Sequence, residues 1–187
     1  MPLTRTSPPV GLAHESRPAE VVWQVAVAVC LAVVAVLAVG LRPAAIPLLY
    51  LAAVTPLLVL TDLREHRLPN RLVLPGYAAA ALGLAGAWAL GALPVVALIS
   101  GITYFAFLLV FAIAGGMGMG DVKLAGVLGL AAGLIGSTTA ILSPALAFLA
   151  GGLVAVVLLV SGRRGTHLPF GPFMLGGFWA AIVLGAA

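Results

Sequence analysis

Residues 21–40 contain no charged side chain and are almost entirely apolar. An apolar helix of about 20 residues is long enough to cross the hydrocarbon core of a bilayer. A cleaved secretory signal is the alternative, but its apolar stretch is only about 7–15 residues long, so a retained helix is favoured. Six further apolar segments follow, at residues 44–61, 75–90, 94–114, 122–136, 140–160 and 170–186.

The composition excludes a water-soluble globule. Hydrophobic residues make up 63% of the 187 residues and charged residues 7%, whereas soluble domains carry roughly 25% charged residues. Backbone polar groups in lipid must be paired within the protein, so the apolar segments must be helices. We predict an all-α integral membrane protein, a bundle of about seven segments of which six or seven span, because 122–136 is short. A flexible cytoplasmic tail, 1–20, precedes the membrane domain, 21–187.

The basic residues predict the orientation. If the N-terminus is cytoplasmic and the chain crosses at every segment, all of the 9 basic residues except Arg42 fall on the cytoplasmic side. This agrees with the excess of Lys and Arg in cytoplasmic loops of membrane proteins. Both aspartates of the chain then lie at the cytoplasmic face. The net charge of +4 is scattered and forms no aromatic-interleaved basic patch, so no nucleic-acid partner is expected.

Cysteine and histidine give no support for metal chemistry. Cys30 is the single cysteine, so it forms no internal disulfide and no CxxC pair; we expect it to be a small buried hydrophobe. The histidines, His14, His66 and His167, lack the spacing of known metal-ligand motifs. The sequence therefore predicts neither a metal nor another cofactor.

Two local patterns concern helix geometry. Gly126, Gly129, Gly133 and Gly136 place small residues along one helix, and such residues let helix backbones approach closely in lipid. That helix is expected at the centre of the bundle. In the second segment, Pro47 and Pro56 are expected to produce kinks.

The chain contains only two aspartates, Asp62 and Asp121, each where an apolar segment meets a polar loop. Ionisable residues at membrane depth or at its edge are costly and are candidates for function. Two neighbouring carboxylates can share one proton, so that one acts as a base toward water and the other as an acid. The predicted topology brings both to the same face, where peptide hydrolysis by a carboxylate pair becomes a testable hypothesis.

The residues around Asp121 have more than one interpretation. Gly118 and Gly120 can adopt positive φ and leave space for an extended substrate strand, although a flexible interhelical loop would have the same composition. Lys123 could form a salt bridge with Asp121 or contact lipid phosphates. In the polar stretch 62–74, Pro69-Asn70 is expected to shape the turn into the next helix.

Three motifs resemble those of the type IV prepilin peptidases, which are integral-membrane aspartic peptidases. Gly118-Met119-Gly120-Asp121, followed by Lys123, resembles the GxGD motif of that family. Asp62, with Pro69-Asn70 seven residues later, is similar to its first motif. The family's C-terminal Pro-Phe-Gly-Pro stretch resembles the residues Pro169, Phe170, Gly171 and Pro172.

The resemblance implies a GxGD-peptidase fold in which Asp62 and Asp121 are the catalytic pair and the other motif residues support them. It implies cleavage of prepilin-like membrane precursors at the cytoplasmic face of a bacterial inner membrane, after a glycine or alanine that precedes an apolar helix, in type IV pilus assembly or protein secretion. Substrate and lipid are the expected partners, and self-association is left open. Larger family members carry paired CxxC motifs in a methylating domain. This chain resembles the short stand-alone form, so no N-methylation is expected.

Three alternatives remain from the sequence. Signal peptide peptidase and presenilin share the GxGD motif but pair it with Tyr-Asp and Pro-Ala-Leu, whereas here Thr61 precedes Asp62 and Pro144-Ala145-Leu146 lies inside an apolar segment. A small transporter could use the aspartates to bind protons or cations, but the inverted repeats typical of transporters are not found. An inactive scaffold for pilus assembly would carry the same residues.

Overall fold

The computed structural model describes residues 18–162 and 168–186. Residues 1–17 of the predicted tail 1–20, and the segment with Arg163, Arg164 and His167, lie outside these ranges. Residues 18–20 are described, and the flexible tail expected there is wrong because they form the first turn of a helix. Within the described residues the secondary structure is helical throughout, which confirms the predicted all-α class. The helices are α1 (Pro18–Val39), α2 (Ala45–Glu65), α3 (Asn70–Ala89), α4 (Val95–Ile113), α5 (Met119–Ile135), α6 (Ser137–Val160) and α7 (Gly171–Ala186).

Five of these helices, α1, α2, α3, α4 and α6, are long and apolar enough to cross a membrane. The other two are shorter: α5 has 17 residues and α7 has 16. Large apolar side chains point outward from the long helices, as in Leu37, which is 81% exposed. Lipid rather than water must cover these surfaces. The chain is an all-α membrane protein.

The helix ends differ from the predicted segment ends. Helix α2 continues to Glu65 instead of ending at residue 61, α3 begins at Asn70 instead of 75, and α5 begins at Met119 instead of 122. Hydropathy marks where side chains become polar, but backbone hydrogen bonding continues into the polar turn beyond. As a result both aspartates are helical: Asp62 is in the last turn of α2, and Asp121 is in the first turn of α5.

Helix α5 is central, as the glycine stripe predicts. It contacts α3, α4, α6 and α7, and its residues from Leu124 to Gly129 are all buried. A Cβ atom added at Gly129 would lie 2.7 Å from the carbonyl oxygen of Ser100, and one added at Gly133 would overlap Ala97 of α4. The absence of these side chains lets the α4 and α5 backbones touch.

Two further expectations are wrong. Pro47 is the third residue of α2, where the first turn tolerates proline without a kink, so Pro56 alone lies inside that helix. Cys30 is exposed on α1 and not buried. Because α1 packs mainly along α2 and turns most of its surface outward, an apolar thiol there faces the lipid region.

Contacts between helix ends bring several elements to one end of the bundle. The Arg64 guanidinium, at the end of α2, lies 2.7 Å from the Glu20 carboxylate at the start of α1. The Lys123 ammonium, near the start of α5, donates a hydrogen bond of 3.0 Å to the Asn70 side chain at the start of α3. Helices α1, α3 and α5 therefore begin where α2 ends, and this is the end that carries both aspartates.

Candidate functional site

Asp62 is held by the start of another helix. Its side chain is 4% exposed, and its Oδ2 atom accepts a hydrogen bond of 2.9 Å from the backbone N–H of Gly171. Gly171 is the first residue of α7, where backbone N–H groups have no partner within their own helix. Asp62 therefore caps α7 from α2, and the positive end of the α7 dipole faces its carboxylate.

The sequence around Gly171 fits this contact. A Cβ atom at position 171 would lie 2.7 Å from Oδ2 of Asp62, which is closer than real Cβ contacts allow. Pro172 has no N–H and occupies the first helical turn, where none is needed. The Pro-Phe-Gly-Pro stretch thus provides one N–H group for Asp62 and removes the side chain that would prevent the approach. The sequence motif identified these residues but not this role.

Asp121 enters the site from the first turn of α5. Its backbone N–H donates to the carbonyl oxygen of Gly118, the helix N-cap, at 3.1 Å. Gly118 is extended, with φ −79° and ψ 148°, so it does not use the positive φ that glycine permits; Gly115, at φ +80°, carries the left-handed turn. The Oδ1 atom of Asp121 is buried and has no hydrogen-bond partner among the described residues.

The electrostatics of Asp121 favour its protonated form. Burial, and after it the negative charge of Asp62, raise the pKa of its carboxyl from 3.8 to about 6, although a backbone hydrogen bond from Gly118 partly opposes both effects. The Asp121 carboxyl lies outside the membrane-spanning helices, because it is in the first turn of α5, which is not among the five helices long enough to cross a membrane. The dependence of one carboxyl on the charge of the other indicates that the two titrate as a pair.

Leu68 packs between the two aspartate-bearing segments. It is buried in the loop between α2 and α3. A Cβ added at Gly120 would lie 3.0 Å from the Cβ of Leu68. A Cβ added at Gly171 would lie 3.3 Å from the Cδ2 of Leu68. Gly120 therefore leaves space for Leu68, and the structure gives it no positive φ. Sequence reasoning missed Leu68 because an isolated leucine in a polar loop has no distinguishing pattern.

Lys123 connects α5 to α3. Its ammonium donates to the Oδ1 atom of Asn70 at 3.0 Å, so the salt bridge with Asp121 is not formed. The carbonyl oxygen of Lys123 accepts a hydrogen bond of 2.8 Å from the Tyr77 hydroxyl. Pro69 is the extended N-cap residue of α3, which confirms that Pro69-Asn70 shapes the turn. Together these contacts fix the first turn of α5, and with it Asp121, against α3.

The two aspartates line one cavity of about 650 Å³. The α4–α5 loop, residues 115–118, forms one wall. The α6 residues Phe148, Gly151, Gly152 and Ala155 form another, and residues 168–170 form a third. A second cavity of about 300 Å³ is also lined by Asp62 and Asp121, with Arg67, Asn70 and Lys123 on its polar side. The carboxylate pair thus lines both a mostly apolar cavity and a smaller one that carries more charged side chains.

Aromatic rings build the apolar wall. Phe148 lies 5.1 Å from Phe170 and 5.3 Å from Phe107, measured between ring centroids. A Cβ at Gly151 would lie 2.8 Å from the Phe170 ring, so the glycine makes room for it. Phe170 directly precedes Gly171, and its packing against α6 supports the position of the N–H group that binds Asp62.

Comparison with known proteins identifies the family. A model of the type IV leader peptidase family matches residues 44–160, which is more than half of the chain. The chain belongs to this family. No curated protein and no solved structure matches it.

Membership in the type IV leader peptidase family confirms the resemblance seen in the motifs and makes the protein a peptidase. The matched region includes both aspartates and ends before Gly171. The hydrogen bond between Gly171 and Asp62 therefore joins the matched region to a helix that follows it. Among residues 18–162 and 168–186, no three His, Cys, Asp or Glu side chains converge as metal ligands; the absence of a metal stays a prediction.

The raised pKa of Asp121 predicts how stability depends on pH. Between pH 3.8 and about 6, the Asp121 carboxyl keeps its proton in the folded state but loses it in the unfolded state. The stability that the neutral carboxyl contributes is therefore fully present below pH 3.8 and is lost as pH rises to about 6. We expect Asp121→Asn to raise the thermal unfolding temperature relative to wild type at pH 8 but not at pH 4. Thermal unfolding in detergent measures this, with Glu65→Gln at an exposed position as control. A constant difference between Asp121→Asn and wild type across this range would contradict the assignment.

Proposed function

We propose that this protein is a membrane-embedded aspartic endopeptidase that removes the leader peptide of type IV prepilin-like precursors at the cytoplasmic face of a bacterial inner membrane. One observation carries the proposal: Asp62 and Asp121, from α2 and α5, line the same cavity. The family supports peptide-bond hydrolysis. The two carboxylates supply an acid and a base for that reaction.

The surroundings of the carboxylates favour different roles. Asp62 receives the Gly171 N–H, and hydrogen bonds to a carboxylate favour its ionised form. Asp121 has a raised pKa and a buried oxygen that finds no partner within residues 18–162 and 168–186. At rest, therefore, Asp62 is the base and Asp121 holds the shared proton.

The reaction proceeds in two stages. Asp62 accepts a proton from water as the water oxygen attacks the scissile carbonyl carbon, and Asp121 donates its proton to the carbonyl oxygen. In the resulting tetrahedral diol, Asp121 recovers a proton from one hydroxyl as the C–N bond breaks, while Asp62 protonates the leaving amine. Both carboxyls return to their starting states, and no cofactor takes part.

The position and lining of the site support a membrane substrate. The site lies at the bundle end that carries Arg64, Arg67 and Arg71, and such clustering is typical of the cytoplasmic side. Asp62 and Asp121 line both a larger cavity with Phe148 and Phe170 in its wall and a smaller one with Arg67 and Lys123, which suits a peptide that changes from a polar leader to an apolar helix. We propose proteolysis without N-methylation.

Replacement of either aspartate by asparagine tests the two-carboxylate mechanism. We expect Asp62→Asn and Asp121→Asn each to lower cleavage of a purified prepilin-like precursor by at least about 100-fold, since each variant removes one acid–base group. Glu65→Gln is the matched control, because Glu65 is an exposed carboxylate three residues after Asp62. Near-normal cleavage by either aspartate variant, with thermal unfolding confirming the fold, would refute the mechanism. Cleavage by the wild type that is lost in the folded aspartate variants also distinguishes a peptidase from an inactive scaffold.

Gly152 offers a test of the cavity as the substrate site. It lines the larger cavity, and a Cβ added there would meet no atom within 4 Å, so Gly152→Leu would fill the cavity without disturbing the helix packing. We expect a rise in KM of roughly tenfold or more because substrate contacts are lost to steric overlap. Gly176→Leu on α7 is the control, since position 176 is equally open and lies outside the cavity. Equal kinetics for the two variants would place substrate elsewhere.

A further inference from the structure

Helices α2 and α7 share a second polar contact, away from the aspartates. The indole Nε1–H of Trp179 donates a hydrogen bond of 3.1 Å to the Oγ1 atom of Thr55. The Thr55 hydroxyl in turn donates to the carbonyl oxygen of Leu51 at 2.6 Å. Thr55 is 6% exposed and Trp179 is 7% exposed. The indole is therefore paired with a hydroxyl whose single proton is already engaged.

The two contacts occur at matching heights on the two helices. Thr55 precedes Asp62 by seven residues, and Trp179 follows Gly171 by eight. At about 1.5 Å per residue these intervals are about 10.5 Å and 12 Å. Since α7 begins where α2 ends, the helices are antiparallel and both contacts form at one register. Sliding α7 by one turn, about 5.4 Å, would break both.

The Trp179 contact resists such a slide. An indole N–H left unpaired in an apolar interior loses its hydrogen bond without gaining one to water. The neighbouring Phe178 is fully buried, and its ring packs edge-on against the indole at 5.3 Å. Because this packing restricts the indole orientation, the N–H group can reach Thr55 at one height of α7.

We propose that Trp179 and Thr55 are positioning residues for the peptidase reaction: their hydrogen bond sets the height of α7 at which the Gly171 N–H reaches Asp62. This inference rests on the proposed function. Neither residue touches the cavity, so their effect passes through the backbone of α7 to Gly171 and from there to the carboxylate.

This role differs from simple stabilisation because it changes the environment of Asp62. The groups that face Asp62 are the Gly171 N–H from α7, His66 directly after α2 and Asp121 from α5. Loss of the α7 register removes the N–H donor and leaves the other two. The ionised form of Asp62 is then less favoured, and the acidic limb of the pH–rate profile moves to higher pH.

The experiment compares variants of Trp179 and Thr55 in the full-length protein. Trp179→Phe removes the donor and keeps an aromatic ring, Thr55→Val removes the hydroxyl at equal size, and Thr55→Ser restores it. The control is Tyr50→Phe, which removes another hydrogen bond of α2, from the Tyr50 hydroxyl to the Leu72 carbonyl at 2.6 Å. Steady-state kinetics, pH–rate profiles and hydrogen exchange of the Gly171 amide are measured for each.

We expect Trp179→Phe and Thr55→Val to lower kcat by roughly 10- to 100-fold, as small displacements of catalytic groups do, with KM changed much less. Their acidic limbs move to higher pH, and the Gly171 amide exchanges faster. Thr55→Ser and Tyr50→Phe retain the wild-type profile and amide protection. Faster exchange is measured without substrate, so it tests the positioning role even if the proposed activity fails. Unchanged Gly171 exchange, or an equal loss of kcat in Tyr50→Phe, would overturn the inference.

Discussion

The hydrogen bond from the Gly171 N–H to Asp62 is the interaction on which the site depends. It requires glycine at position 171, tolerates proline at 172, and places the start of α7 against the end of α2. It also gives Asp62 a favourable partner for its negative charge, which a carboxylate buried among apolar helices needs. Without this contact, the cavity would lose the wall formed by residues 168–170, and Asp62 would be a buried charge without a backbone donor.

The two aspartates lie at opposite ends of their own helices, and their carboxyl groups are held differently. Asp62 lies at the end of α2 and accepts a hydrogen bond from the start of a distant helix. Asp121 lies at the start of its own helix, and one of its oxygens is unpaired in the part of the chain that the structure describes. This asymmetry separates a base from an acid in the proposed reaction. The glycines of α5 contribute indirectly, because close contact with α4 and the Lys123–Asn70 hydrogen bond fix the turn that carries Asp121.

Local patterns in the sequence predicted the helical class, the seven segments, the central position of α5 and the location of both aspartates at one end of the bundle. They did not predict the helix ends, because polar side chains at a membrane edge do not interrupt backbone hydrogen bonding. Leu68, Trp179 and the role of Gly171 were also missed. Each acts through a residue far away in sequence, as in the pairing of Gly171 with Asp62, and one sequence contains no periodicity that encodes such a pair. At Gly118 and Gly120 the sequence left the backbone conformation open, because glycine permits several conformations and only the fold determines which one forms.

The central claim is that Asp62 and Asp121 meet within reach of one water, and crosslinking measures this most directly. In a Cys30→Ala background, Asp62→Cys and Asp121→Cys are combined and treated with dibromobimane, a short reagent that fluoresces once both of its ends have reacted with thiols. The account predicts strong fluorescence from the double variant and none from either single variant. Labelling of both thiols by a monofunctional maleimide, without fluorescence from dibromobimane, would contradict it.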